Sequence, residues 1–258
     1  MSPLLIIAMF VPLIGTTLGS ATVLFLKKEI SVRGQKVLLG FASGVMIAAS
    51  IWSLLQPAIE HYPSGDYKSY LIPALGFAVG MGFLLILDMI VPHIHAGKHE
   101  EGIKTAKFSR VSKMMMAVTL HNIPEGLAAG VLIASAIAGN ISDQAALIFA
   151  IGIAIQNFPE GAIISVPLKE EGLSRGKAFL YGFYSGVVEP IFAVLAIVLT
   201  LFVMTILPFT LAFAAGCMIY VVVEELIPDA NTGKHSNLAT IGLTVGFVVM
   251  MILDIALG

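Results

Sequence analysis

The chain has 258 residues, 58% of them apolar and 12% charged, and a mean hydropathy of +0.96. Soluble domains are nearer about 45–50% apolar and about 25% charged, so a single soluble core is a poor fit and a polytopic protein of the lipid bilayer is expected. A net charge of −2 offers nucleic acid no basic surface, and the lone Cys217 excludes an internal disulfide.

Eight apolar segments follow one another, at roughly 3–26, 37–59, 70–92, 111–138, 143–167, 177–202, 207–228 and 238–257. Each is about 20 residues or longer, enough for a helix to cross about 30 Å of hydrocarbon. The expected fold is therefore all-α: eight transmembrane helices in one domain spanning residues 1–258. The first segment has no basic residue before it and exceeds a signal-peptide core, so it reads as a retained span.

Basic residues set the expected orientation. Lys27, Lys28, Arg33 and Lys36 follow the first segment, and Lys98, Lys104, Lys107, Arg110 and Lys113 surround the loop after the third. Lys169, Arg175 and Lys177 follow the fifth, and Lys234 follows the seventh. Of the 14 basic residues, only Lys68 falls on the opposite side. The positive-inside rule then places these loops in the cytoplasm and both termini outside, in a multi-pass protein of the cell membrane.

Several ionisable groups interrupt the apolar runs. Asp88 stands near the end of the third segment, with His93 and His95 just beyond it. The fourth segment contains HNIPEG (His121 to Gly126), and the fifth contains QNFPEG (Gln156 to Gly161). His121 and Glu125, like Gln156 and Glu160, are four residues apart and share a helix face; Asn122 and Asn157 lie one position on. Pro124 and Pro159 remove a backbone N–H each and free the carbonyls of Leu120 and Ile155. Glu189-Pro190 falls at similar depth in the sixth segment, and Glu224-Glu225 ends the seventh. An ionisable group at membrane depth is costly, at least about 2.5 kcal/mol, and usually lines a cavity or binds something. Lone amides in membrane spans are usually helix–helix contacts, but two matched phrases plus Glu189 argue for a cation site between the fourth, fifth and sixth helices. Imidazole with carboxylate suits Zn²⁺ and other first-row divalent ions better than magnesium or calcium.

HNIPEG followed by QNFPEG, in the fourth and fifth of eight spans, resembles the ZIP (Zrt- and Irt-like) divalent metal transporters, and looks closest to the bacterial members. The resemblance covers essentially the whole chain. It implies a main site of His121, Glu125, Gln156 and Glu160, and an adjoining one of Asn122, Asn157 and Glu189 bridged by Glu125 and Glu160. It implies Asp88, His93, His95, Glu224 and Glu225 along a cytoplasmic exit path. It also implies inverted repeats, with spans 1, 4, 5 and 6 carrying metal past a scaffold of spans 2, 3, 7 and 8. Many relatives have His in place of Gln156, and some have Asp in place of Asn157. The first departure leaves iron, manganese or cadmium open as further cargo; the second weakens the adjoining position. A homodimer is left open.

The expected activity is carriage of Zn²⁺ into the cytoplasm, with the metal as substrate. A selective metal channel would use the same ligands. An intramembrane metal hydrolase is disfavoured, since neither HExxH nor GxGD occurs, and no enzyme activity is expected.

Overall fold

The computed structural model describes residues 1–25, 30–94, 100–102, 109–202, 206–234 and 236–257. Eight helices in it are long and apolar enough to cross a membrane, as the sequence predicts. They are α1 (Pro3–Phe25), α2 (Val32–Glu60), α3 (Lys68–Ile90), α4 (Val111–Ile137), α5 (Asp143–Lys169), α6 (Arg175–Leu201), α7 (Leu207–Ala230) and α8 (Leu238–Leu257). A two-residue antiparallel pairing, β1 (His93–Ile94) with β2 (Glu100–Glu101), follows α3.

Local chemistry explains several of the ends. Ser31, Ser109, Ser142 and Ser174 each cap a helix start, their hydroxyls accepting the N–H of Gly34, Ser112, Ala145 and Lys177. Such a cap satisfies a backbone donor that the first turn leaves free. The Ser31 cap starts α2 five residues before the apolar run at 37, because its first turn is polar and hydropathy does not register it. Gly172, with φ +93°, closes the turn after α5.

Three helices depart from regular geometry. Ser50–Leu55 of α2 and Val222–Leu226 of α7 are π-helical, and each is followed two residues later by a proline, Pro57 or Pro228. α6 is interrupted at Val187, between Gly186 and Val188. Wide turns of this kind concentrate at functional sites. Hydrophobic periodicity carries no trace of them.

The helices pack as close pairs: α1 on α5, α2 on α8, α3 on α7 and α4 on α6. Glycines make each pairing possible. A Cβ on Gly19 would run into the Phe158 carbonyl, on Gly44 into that of Leu243, on Gly80 into that of Phe213, and on Gly126 into that of Glu189. Lipid is as apolar as leucine, so helices associate in it through close packing rather than hydrophobic exclusion, and small residues supply that packing. Outward faces carry large apolar side chains such as Leu75, Val79, Ile86, Ile241 and Ile252. In α3 and α8 only 22% of the apolar window is buried, which places them at the rim, whereas α4 is 83% buried and runs through the centre.

Candidate metal centre

The central helix α4 brings its HNIPEG phrase against α5 and α6. Glu125 and Gln156 are fully buried, and Asn122, Asn157, Glu160 and Glu189 are at most 8% exposed. The Gln156 side-chain amide donates to Glu125 Oε1, and also reaches Asn157 Oδ1 at 3.3 Å. Asn157 lies beside Glu125 and Glu189, and its Nδ2 approaches the Pro12 carbonyl of α1 at 3.5 Å. Asn122 instead donates to the Ser185 carbonyl at 2.7 Å, so its amide is committed to the α6 backbone just before the break.

Among the described residues, four buried oxygens of this layer have no hydrogen-bond partner: Glu125 Oε2, Gln156 Oε1, Glu160 Oε1 and Glu189 Oε2. A buried carboxylate oxygen without a partner costs on the order of 1–3 kcal/mol or more, so native proteins seldom leave several together. All four are hard or borderline acceptors, suited to a divalent cation. Glu160 also lies within Coulombic reach of Glu125, Glu189, His121 and Glu225.

His121 points elsewhere. Its Nε2 contacts Glu225 Oε2 on the π turn of α7. Among the described residues, no three His, Cys, Asp or Glu side chains gather closely enough to enclose an ion. The layer therefore contains the sequence-predicted groups without closing them around one point, and His121 links it to a second cluster.

That cluster lies where α3 ends. Asp88 Oδ1 meets His93 Nε2 at 3.0 Å, His93 Nδ1 bonds the Val91 carbonyl at 2.7 Å, and Tyr220 of α7 lies beside Asp88. Glu225 is buried nearby, whereas Glu224 faces outward. The sequence offered both glutamates for one path, and only Glu225 turns inward. His95 lies outside the described residues. Burial pulls the His93 pKa down, but the Asp88 carboxylate and the Val91 carbonyl outweigh it and hold it above 6.5. Stabilisation from this pair is therefore complete below pH 6.5 and is lost as pH climbs through the raised value. An NMR titration should place the His93 midpoint above 6.5 and show it falling in Asp88→Asn; a higher midpoint in the variant would contradict the ion pair.

Comparison with known proteins decides the family. The ZIP Zinc transporter family model matches residues 2–114 and 99–254. The chain belongs to the ZIP zinc transporter family. It is 37% identical to zinc transporter ZIPB of Bordetella bronchiseptica, over 94% of this chain and 78% of that protein. It is 34% identical to zinc transporter GufA of Myxococcus xanthus, over 94% of each. It is 31% identical to human zinc transporter ZIP11, over 95% of this chain and 94% of that one. Bacterial and eukaryotic relatives thus match at similar identity, and the expected bacterial leaning narrows to membership of the family. This ZIP protein is a multi-pass zinc transporter and not an enzyme.

Two polar contacts of this ZIP chain were not anticipated. Ser53, on the π turn of α2, donates to Asp254 Oδ1 of α8 at 2.7 Å. An ionisable residue in the last apolar run was a legible signal for Asp254. Thr16 of α1 donates to Glu189 Oε1 at 2.7 Å. Its sequence gave no warning, since Thr16, Thr17, Ser20 and Thr22 look alike in one helix.

Proposed function

We propose that residues 1–258 act as one carrier domain that moves Zn²⁺ into the cytoplasm, the metal being held by Glu125, Gln156, Glu160 and His121. Asn122, Asn157 and Glu189 form an adjoining, weaker position. The observation that carries this reading is the layer of four partnerless buried oxygens at Glu125, Gln156, Glu160 and Glu189. Cations held in this layer and its adjoining position would give these oxygens partners, whereas unpaired they only destabilise the fold.

His121 gives the path its direction. Held by Glu225, it stands between the oxygen layer and the cluster of Asp88 and His93. An imidazole that exchanges Glu225 for a metal passes the ion toward that cluster, which the basic flanking loops place on the cytoplasmic side. Asp88, His93, Glu224 and Glu225, together with His95 of the following segment, then serve as the exit path. Gln156 in place of an imidazole makes the site less selective for zinc, so Fe²⁺, Mn²⁺ and Cd²⁺ follow as weaker cargo.

Two features support an elevator-type carrier. Glycine-to-backbone contacts tie α1 to α5 and α4 to α6, and separately tie α2 to α8 and α3 to α7. Between these groups, Gly152 of α5 faces only the Met250 side chain of α8, not its backbone. Locked pairs with a side-chain boundary between them suit one group sliding past the other. The π turns of α2 and α7, each two residues before a proline, occupy equivalent places in two halves of opposite topology, as inverted repeats require.

Proteoliposomes containing the protein and an internal zinc dye should take up Zn²⁺ with saturable kinetics and slow turnover. Uptake that rises linearly with external zinc would instead indicate a channel.

A further inference from the structure

We infer that Thr16 of α1 is a positioning residue that restricts Glu189 to one-oxygen metal ligation and so keeps the adjoining position weak. This rests on the metal-site reading above and adds a helix that the paired phrases do not contain.

The geometry starts from the backbone. Gly161 directly follows Glu160, and a Cβ there would collide with the Thr16 carbonyl. Gly186 precedes Glu189 by three residues, and a Cβ there would come within 3.0 Å of Thr16 Cβ. Two glycines, one on each side, thus let α1 wedge between α5 and α6 at Thr16. That approach delivers the Thr16 hydroxyl to Glu189 Oε1 at 2.7 Å, in a contact where Thr16 is 2% and Glu189 1% exposed. Glu189 Oε2 has no partner, as expected if it faces the neighbouring unpaired oxygens of Glu125, Gln156 and Glu160.

A hydroxyl bonded to one carboxylate oxygen has two effects. It stabilises Glu189 while no metal is bound, and it occupies one of the Oε1 lone pairs that a bidentate contact would use. Both make the empty adjoining position more comfortable and the filled one less favourable. Removing the hydroxyl leaves Oε1 buried without that partner, a cost that a bound cation relieves. For a carrier this matters for release, because a second tightly held ion would slow turnover.

The test uses purified full-length protein in lipid nanodiscs. Zn²⁺ bound per chain is measured by equilibrium dialysis, and release is measured by stopped-flow chelation. Thr16→Val keeps the shape and removes the hydroxyl; it should tighten the weaker Zn²⁺ by roughly tenfold and slow its release by a similar factor. Thr16→Ser should behave as wild type, and Glu189→Gln added to Thr16→Val should abolish the gain. If Thr16→Val does not fold, Thr16→Ala removes the hydroxyl without the extra volume. Unchanged or weakened second-ion binding in the hydroxyl-less variant would overturn the inference. Glu125→Ala, run in parallel, separates the two levels: if it binds Zn²⁺ as wild type does, the site reading itself fails, whereas loss of binding there with no Thr16 effect sinks this inference alone.

Discussion

Alanine at Glu125 or Glu160 is expected to abolish Zn²⁺ uptake while leaving the amount of protein in the membrane unchanged. Each side chain is buried and contributes an oxygen with no partner among the described residues, so truncation removes a ligand without breaking a structural contact of that oxygen. Loss of even an outer-shell partner typically costs 10–100-fold in metal affinity, so a direct ligand should cost about 100-fold or more. Glu125 differs from Glu160 in one respect, since its Oε1 also accepts from Gln156. Glu125→Ala therefore releases Gln156 as well, and Glu125→Gln is the milder control that keeps the volume and loses the charge. Zinc uptake, normalised to protein in the membrane, is the measurement. Wild-type uptake in either alanine variant would remove that residue from the site.

A second large effect should separate two glycines that are close neighbours in α3. A Cβ on Gly80 would meet the Phe213 carbonyl and the Cys217 nitrogen, backbone atoms of α7 that cannot yield unless the helices part. Cys217 Sγ also bonds the Gly80 carbonyl at 3.3 Å, so separation would break a further contact. Gly82 has nothing within 4 Å of an added Cβ. Overpacking a tight contact costs about 1–3 kcal/mol and more where backbone is struck, which is a large share of a typical stability of about 5–15 kcal/mol. Gly80→Leu should therefore leave little monodisperse protein after detergent extraction, and Gly82→Leu should match wild type. Size-exclusion chromatography with a melting curve would read both. Equal recovery of the two variants would show that the α3–α7 contact is looser than its geometry implies.

How much of this was legible in the residues depended on the range of the interaction. Helix number was legible, because about 20 apolar residues between polar turns is a property of composition alone. The pairing of HNIPEG with QNFPEG was legible for the same reason: buried charge stands out against hydrocarbon wherever it occurs. The start of α2 was hidden, since a serine cap and a polar first turn extend a helix beyond its apolar run. Which of Glu224 and Glu225 is buried was hidden too. Neighbours sit about 100° apart on a helix, so only one of the two turns inward, and the helices packed around α7 decide which. The contact of His121 with Glu225 joins α4 to α7 across a long stretch of chain, and nothing local to either residue announces it. Thr16 is the clearest case. Its role depends on glycines 161 and 186 in two other helices, and those glycines look like any others in an apolar sequence.

The central claim is that zinc is held in the layer of Glu125, Gln156 and Glu160 on its way through the protein. Anomalous diffraction at the zinc edge, from crystals of the protein grown with zinc, tests it most directly. A peak is expected within ligand distance, about 2.0–2.2 Å, of a Glu125 and a Glu160 oxygen, and lost in the Glu125→Ala protein. Zinc found only at the cluster of Asp88, His93 and Glu225, with no peak between Glu125 and Glu160, would contradict it.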